Sequence, residues 1–184
     1  MPDSDTSSME ARIVQQAIAG DKQAFGQLYE MYADRIFRYL VFKMGSMAAA
    51  EDLMCEVFLK AWTALPEFGS GSSGWNFKSW LYRIAHNALI DHWRTAKDEI
   101  SLENLGELQS KAEKPDKIIE KRETMVELFE KLNSLDDLSR DVLIHRFVAG
   151  LSHRETASIL GINEGHVRVI QYRAIKKMRE EAGE

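Results

Sequence analysis

Four residues near the C-terminus, Ala157, Gly161, Val167 and Ile170, constrain the fold of this chain more than any others. Two short helices that cross steeply need a small residue at their contact, which Ala157 supplies. The tight turn between them needs a residue tolerant of positive φ, which Gly161 supplies. Val167 and Ile170 lie on one face of the second helix and pin it to the first. The pattern predicts a helix-turn-helix within residues 152–179 and leaves His166, Arg168, Val169, Tyr172, Arg173 and Lys176 facing outward. Such a face, cationic and rich in hydrogen-bonding groups, suits the major groove of duplex DNA. Residues 163–179 carry five bases (Arg168, Arg173, Lys176, Lys177, Arg179) against one acid, Glu164. The negative end of a helix dipole explains Lys176 to Arg179, but not Arg168 and Arg173 in mid-helix.

The charge of the whole chain pulls the other way. Its net charge is −5, whereas proteins that grip DNA unaided concentrate positive charge. Residues 1–60 hold nine acids and six bases, and 163–179 is net +4 (five minus one). An acidic body with a basic tip binds naked DNA weakly and needs a second protein to engage it. The 184 residues suit one domain or two small ones. No apolar run is long enough to cross a bilayer and no signal-peptide pattern opens the chain, so a cytoplasmic protein without membrane insertion is expected. The single cysteine, Cys55, excludes an intramolecular disulfide and a Cys-rich zinc site, and no metal or other cofactor is expected.

Catalytic signals are weak. His86 and His92 are six apart and do not share a helix face; His145 and His153 have no companion Cys or paired carboxylates. The GSGSSG run at 69–74 lacks the Lys-Ser/Thr ending of a phosphate loop. No catalytic residue is expected, and the chain reads as a non-enzyme.

Along the chain, residues 1–9 are polar and read as disordered. Phe25, Leu28, Tyr29, Tyr32, Ile36, Tyr39 and Leu40 form one helical apolar stripe, with Asp21 as its N-cap, and Leu53, Val57, Phe58, Ala61 and Trp62 form another; Gly45-Ser46 separates them. On the second helix Asp52 and Glu56 are four apart, so both carboxylates share a side, with Lys60 one turn on. A solvated face is the plain reading, but Met54, Cys55 and Leu59 mix apolar groups into it, which suits a protein partner. Residues 64–74 read as a Gly/Ser loop after a proline. Residues 75–94 then carry Trp75, Phe77, Trp80, Tyr82 and Trp93 with Lys78, Arg83 and Arg94 against one acid, Asp91. Leu81, Ile84, Ala85, Ala88 and Leu89 make its buried stripe, and the interleaved aromatic and basic groups resemble a platform for unstacked bases. Residues 97–115 are highly charged and read as a tether. From about residue 116 onward the chain reads as helical throughout, with Leu132, Leu135, Leu138, Val142, Leu143 and Phe147 packing the helix that supports the helix-turn-helix.

AEDLMCEVFLKAW (50–62), FKSWLYRIAHNALIDHWR (77–94) and a C-terminal helix-turn-helix, in that order, resemble a bacterial sigma factor of the extracytoplasmic-function group, within the sigma-70 superfamily. The resemblance covers residues 21–179. It implies an all-α fold of two small helical modules: sigma domain two over 11–96 and a helix-turn-helix sigma domain four over 116–184, joined by a flexible charged linker at 97–115 and preceded by a disordered N-terminus at 1–10. It implies promoter recognition, minus-ten melting and transcription initiation with RNA polymerase. Asp52, Leu53, Cys55, Glu56, Leu59 and Lys60 would dock on the clamp helices of the largest core polymerase subunit, and the beta flap is a further implied contact. Phe68, Trp75, Asn76, Lys78, Trp80, Tyr82, Arg83, His86, Asn87, His92 and Arg94 would hold the non-template strand of the minus-ten element, the 66–76 loop receiving a flipped base. Ser152, Arg154, Glu164, His166, Arg168, Val169, Tyr172, Arg173 and Lys176 would read the minus-thirty-five element of promoter DNA. An anti-sigma factor covering both modules is the implied inhibitor.

Extruding a base costs a few kcal/mol, and stacking on an aromatic ring returns roughly 1–3 kcal/mol per base. Two or three such contacts hold a melted segment but do not open duplex without the polymerase. The chain departs from the family at Gly69, where a basic residue is common, at Arg168-Val169-Ile170-Gln171, where a Lys-Ser-Arg-Leu-like run is common, and at His166, where Thr is usual. The flipped base and the individual base contacts therefore do not transfer. The alternative is a stand-alone helix-turn-helix transcriptional regulator with an N-terminal interaction module, which leaves the aromatic-basic helix and the acidic-apolar face unexplained.

Overall fold

A computed structural model describes residues 3–70, 76–102, 128 and 130–181, which are helical or in short turns, with no strand among them. The chain divides into two compact units, Met1–Ser110 and Lys111–Glu184.

The first unit holds α1 (Asp3–Ile18), α2 (Lys22–Met44), α3 (Met47–Ser70) and α4 (Phe77–Leu102). The Asp21 carboxylate caps α2, accepting from the backbone N–H of Gln23 at 2.8 Å and of Ala24 at 3.2 Å. Gly45 closes it in the left-handed region, φ 69°, and the Ser46 hydroxyl accepts from the Ala49 N–H at the start of α3. Leu28, Tyr32, Ile36, Tyr39 and Leu40 of α2 bury against Leu53, Val57, Ala61 and Leu65 of α3 and Phe77, Leu81, Tyr82, Ala85 and Leu89 of α4. α1 adds Ile13, Val14 and Ala17, and its Glu10 carboxylate accepts from the Tyr32 hydroxyl at 2.8 Å. Burial first, and that hydrogen bond second, push the Tyr32 phenol well above its ordinary pKa.

Three composition-based expectations give way here. Residues 3–10, read as disordered, belong to α1. Residues 64–70, read as loop, are the last turns of α3, with Pro66 inside the helix. Proline there forgoes a helical hydrogen bond, and burial of Leu65 with stacking of Phe68 on Trp80 offsets it. Residues 97–102, assigned to the tether, continue α4. The rest of the tether from 103 onward, Trp75 and the loop residues 71–74 lie outside the described residues.

In the second unit α5 (Asp137–Leu143) is capped by Asp136 and runs into a π turn, Ile144–Val148. The Ser139 hydrogen bonds and Lys177 hold the Asp136 carboxyl below its usual range. α6 (His153–Leu160) and α7 (Glu164–Glu181) follow. The π turn is marked by the Ala149 N–H, which donates to the Ile144 carbonyl at 3.0 Å, five residues back. Ile144 and His145 are buried, the latter donating from Nδ1 to the Asp141 carbonyl at 2.7 Å, while Phe147 is left 60% exposed. Phe147 and Leu138, expected in the core, are surface residues: Phe147 is five residues from buried Val142 and so points away from its side, and Leu138 lies in the first turn of α5.

Val142, Ala157, Val167 and Ile170 form the core of the helix-turn-helix, flanked by Leu160 and Ile162. Gly161 closes α6 at φ 68°, and a side chain there would meet nothing within 4 Å. Its requirement is conformational. Gly161→Val should cost about 1–2 kcal/mol from the left-handed backbone alone; thermal unfolding of the second unit should fall by several degrees, with Gly161→Asn milder than valine.

Candidate docking and nucleic-acid faces

On α3, Leu53, Val57, Phe58 and Ala61 face the core, leaving Asp52, Cys55, Glu56 and Leu59 exposed together, Leu59 at 66%. Two carboxylates beside an apolar side chain and a thiol make a surface for a protein with cationic and apolar groups of its own. Lys60 Nζ lies 2.6 Å from Glu56 and 3.8 Å from Asp91 of α4, and Asp91 lies 2.8 Å from Arg94. This ladder of ion pairs runs from the α3 face across to α4. Leu53, assigned to the docking face, is a core residue, because at 100° per residue it falls opposite Glu51 and Cys55.

α4 starts with Asn76, whose side chain accepts from the Ser79 N–H at 2.8 Å as an N-cap. Its buried side holds Phe77, Leu81, Tyr82, Ala85, His86, Ala88 and Leu89. Asn76, Trp80, Arg83, Asn87, Ile90 and Arg94 recur three and four apart on the other side and form one outward stripe. Phe68 of α3 joins it, its ring 4.6 Å from Trp80 at 33°. An aromatic pair at one end and guanidinium groups further along can stack a base and meet a phosphate.

Tyr82 and His86, assigned to the strand-binding face, are instead core residues. Tyr82 packs edge-on against Tyr39 at 5.2 Å, and burial pushes its phenol up to about 12 although Arg35 and Arg38 oppose the shift. Lys78 is half-buried, and exposed His92 falls away from the stripe by helix geometry. Ile90, 46% exposed in mid-stripe, carries no chemical signal in the sequence and emerges only from counting threes and fours from Arg83.

The third face is on α6 and α7. Ser152 and Glu155 form a reciprocal capping box, so the Ser152 side chain is engaged at the N-terminus of α6. The Asn163 side chain accepts from the His166 N–H at 2.7 Å and starts α7. Val167, Ile170 and Ala174 are buried; His166, Arg168, Val169, Tyr172, Arg173 and Lys176 are exposed, Tyr172 at 70%. Arg168 is paired with Glu164 at 2.5 Å, while Arg154 is exposed at the start of α6. Arg146 fastens the π turn to this layer, donating to the Leu151 carbonyl and, at 2.9 Å, to the Gln171 side chain. Burial first, then Arg146 and Arg168, hold the His153 imidazole below its ordinary pKa. The Arg146 and Arg168 guanidinium groups bring positive charge to the junction of α6 and α7.

No group of His, Cys, Asp and Glu that could hold a metal is found among the described residues, and none of their helices is long and apolar enough to cross a membrane.

Residues 28–99 match the family described as Sigma-70 region 2, and residues 132–180 match Sigma-70, region 4. The chain is 33% identical over 179 residues to the ECF RNA polymerase sigma factor BldN of Streptomyces coelicolor, a match spanning 96% of this chain and 66% of that protein. It is 32% identical over 175 residues to the ECF RNA polymerase sigma factor SigD of Mycobacterium tuberculosis, spanning 92% of this chain and 82% of that one. The solved structure of CnrH in complex with the cytosolic domain of CnrY shares the fold, with a TM-score of 0.70 at 23% identity over 93% of this chain and 95% of that one. Both matched regions fall on the helices that expose the three faces, and the likeness to SigD runs along most of both proteins, so the chain belongs to the extracytoplasmic-function sigma factors of RNA polymerase.

Proposed function

We propose that this chain is a dissociable, cytoplasmic initiation subunit that carries RNA polymerase to a small set of promoters. Asp52, Cys55, Glu56, Leu59 and Lys60 dock on the clamp helices of the largest subunit. Phe68, Asn76, Trp80, Arg83, Asn87 and Arg94 hold the displaced strand of the minus-ten element, joined by Ile90. His166, Arg168, Val169, Tyr172, Arg173 and Lys176 read the minus-thirty-five duplex, with Arg154, Ser152 and Glu164 at its edge. Residues 11–96 and 116–184 act as the two functional modules, and an anti-sigma protein that covers both restrains them. The polymerase supplies all bond chemistry, so the chain needs no catalytic group or cofactor.

The observation that carries this reading is the exposure of an acidic-apolar face and an aromatic-basic stripe on adjacent helices of one unit, bridged by Lys60 and Asp91. A stand-alone operator binder has no use for either. The net charge of −5 supports the same division of labour: promoter affinity comes from the holoenzyme.

Run-off transcription on genomic fragments with purified core enzyme tests the reading and finds the promoters at once. Defined transcripts are expected only when the chain is present. Selective, tight binding of intact duplex by the free protein at physiological ionic strength would overturn it in favour of a conventional regulator. On a promoter so found, Arg173→Ala should weaken holoenzyme binding about tenfold, the scale of one lost groove contact, and leave core affinity unchanged. An unaltered minus-thirty-five preference in both Arg168→Ala and Arg173→Ala would remove the recognition-helix assignment.

A further inference from the structure

α1 precedes the region 2 match, which begins at residue 28, and none of the three faces uses it. It nevertheless packs against neighbours of the aromatic pair of the minus-ten stripe from two directions. From the α3 side, Gly69 sits against Ile18, the last residue of α1: a Cβ on Gly69 would lie 2.5 Å from Ile18 Cγ2 and 3.2 Å from Cδ1. Gly69 is helical, where intrinsic preference favours alanine. The closeness of Ile18, and not backbone freedom, is what glycine serves. Its neighbour Phe68 is the ring that stacks on Trp80. From the α4 side, Glu10 of α1 holds the Tyr32 hydroxyl, and the Tyr32 ring lies 5.5 Å from Phe77. Phe77 in turn lies 6.2 Å from Phe68 and 5.6 Å from Trp80.

We propose that α1 is a brace for the strand-binding platform, with Ile18 and Gly69 as positioning residues that set the Phe68–Trp80 pair, and Glu10 and Tyr32 as its second anchor. The inference rests on the minus-ten reading above for its consequence, but not for its geometry. Phe68 and Trp80 are half-buried, so their ring planes follow the packing behind them. A close-packed contact cannot absorb an extra methyl without displacing one partner. The same constraint bears on the departure from the family at position 69: any side chain there meets Ile18 at its first carbon and must displace the Ile18 side chain.

The test pairs a clash with its relief. Gly69→Ala should displace the last turn of α3, and Ile18→Ala with Gly69→Ala should restore the fit by removing the atoms it meets. The first readout is optical and needs no DNA: in the full chain with Trp62, Trp75 and Trp93 changed to Phe, Trp80 emission should shift in Gly69→Ala and return in the double variant. The second is binding of reconstituted holoenzyme to a fluorescent forked fragment with a single-stranded minus-ten segment, taken from a promoter found by run-off transcription. Gly69→Ala should lose about tenfold, roughly one base's stacking, and the double variant should come within about twofold of wild type. Core binding should not change in either. Unchanged Trp80 emission in Gly69→Ala, or a double variant no better than the single one, overturns the brace. Rescue of the optical signal with no binding of forked DNA even by wild type supports the brace and overturns the minus-ten reading instead.

Discussion

Asp52→Arg combined with Glu56→Arg should abolish co-purification with core RNA polymerase while the protein stays folded. Both side chains are exposed on the outer side of α3, so the change leaves the core of Leu53, Val57 and Ala61 untouched. The intramolecular loss is small, since the Glu56–Lys60 pair is a surface i,i+4 contact worth about 0.3–0.5 kcal/mol. Between molecules the effect is large. A partner surface complementary to two carboxylates is cationic, and placing two guanidinium groups against it costs several kcal/mol. The fall in core affinity should be on the order of a hundredfold or more. Circular dichroism and melting should match wild type within a few degrees. Wild-type recovery of the double variant with core enzyme removes the docking assignment from α3. Leu59→Ala gives a graded companion, because an apolar side chain this exposed in the free protein has little stability to lose and contact area to contribute.

What the residues disclosed and what they hid follow from how far each constraint reaches along the chain. The helix-turn-helix was legible because its requirements are local: a left-handed residue at 161, a small one at 157, and two apolar groups three apart. The cap at Asp21 and the break at Gly45-Ser46 were legible for the same reason. Tertiary packing decided the rest. Pro66 and the Gly/Ser composition after it read as loop, yet Leu65 and Phe68 draw the chain into helix through Ser70. His145 is three residues from buried Val142 and shares its inward side, whereas Phe147 is five away and points out; apolar character alone put Phe147 in the core and left His145 out of it. Composition marked α4 as aromatic and basic but could not say which side chains face out. Tyr82 and His86 have the right chemistry and the wrong angle, whereas Ile90 has the right angle and no chemistry to announce it. Gly69 is the clearest case of a signal beyond local rules, because the residue it makes room for lies at position 18.

The same substitution two residues apart on α7 should separate folding from recognition. Val167 is fully buried against Val142, Ala157 and Ile170; Val169 is 45% exposed on the outward side of α7. Val167→Asp places a carboxylate where no partner can reach it, at a cost of several kcal/mol. A domain this small has a total stability on the order of 5 kcal/mol, so the second unit should unfold. Its share of the helical circular dichroism should disappear, and protease should cut within residues 130–181 but spare the first unit. Docking through α3 should survive, since that unit has its own core. Val169→Asp should leave melting within a degree or two of wild type. In the holoenzyme it should weaken promoter binding about tenfold or more, because a carboxylate then faces a groove lined by phosphates and acceptor atoms. A folded Val167→Asp protein would mean that the contact of α6 with α7 does not hold the second unit together. Wild-type promoter binding by Val169→Asp would mean that α7 meets its partner through another side.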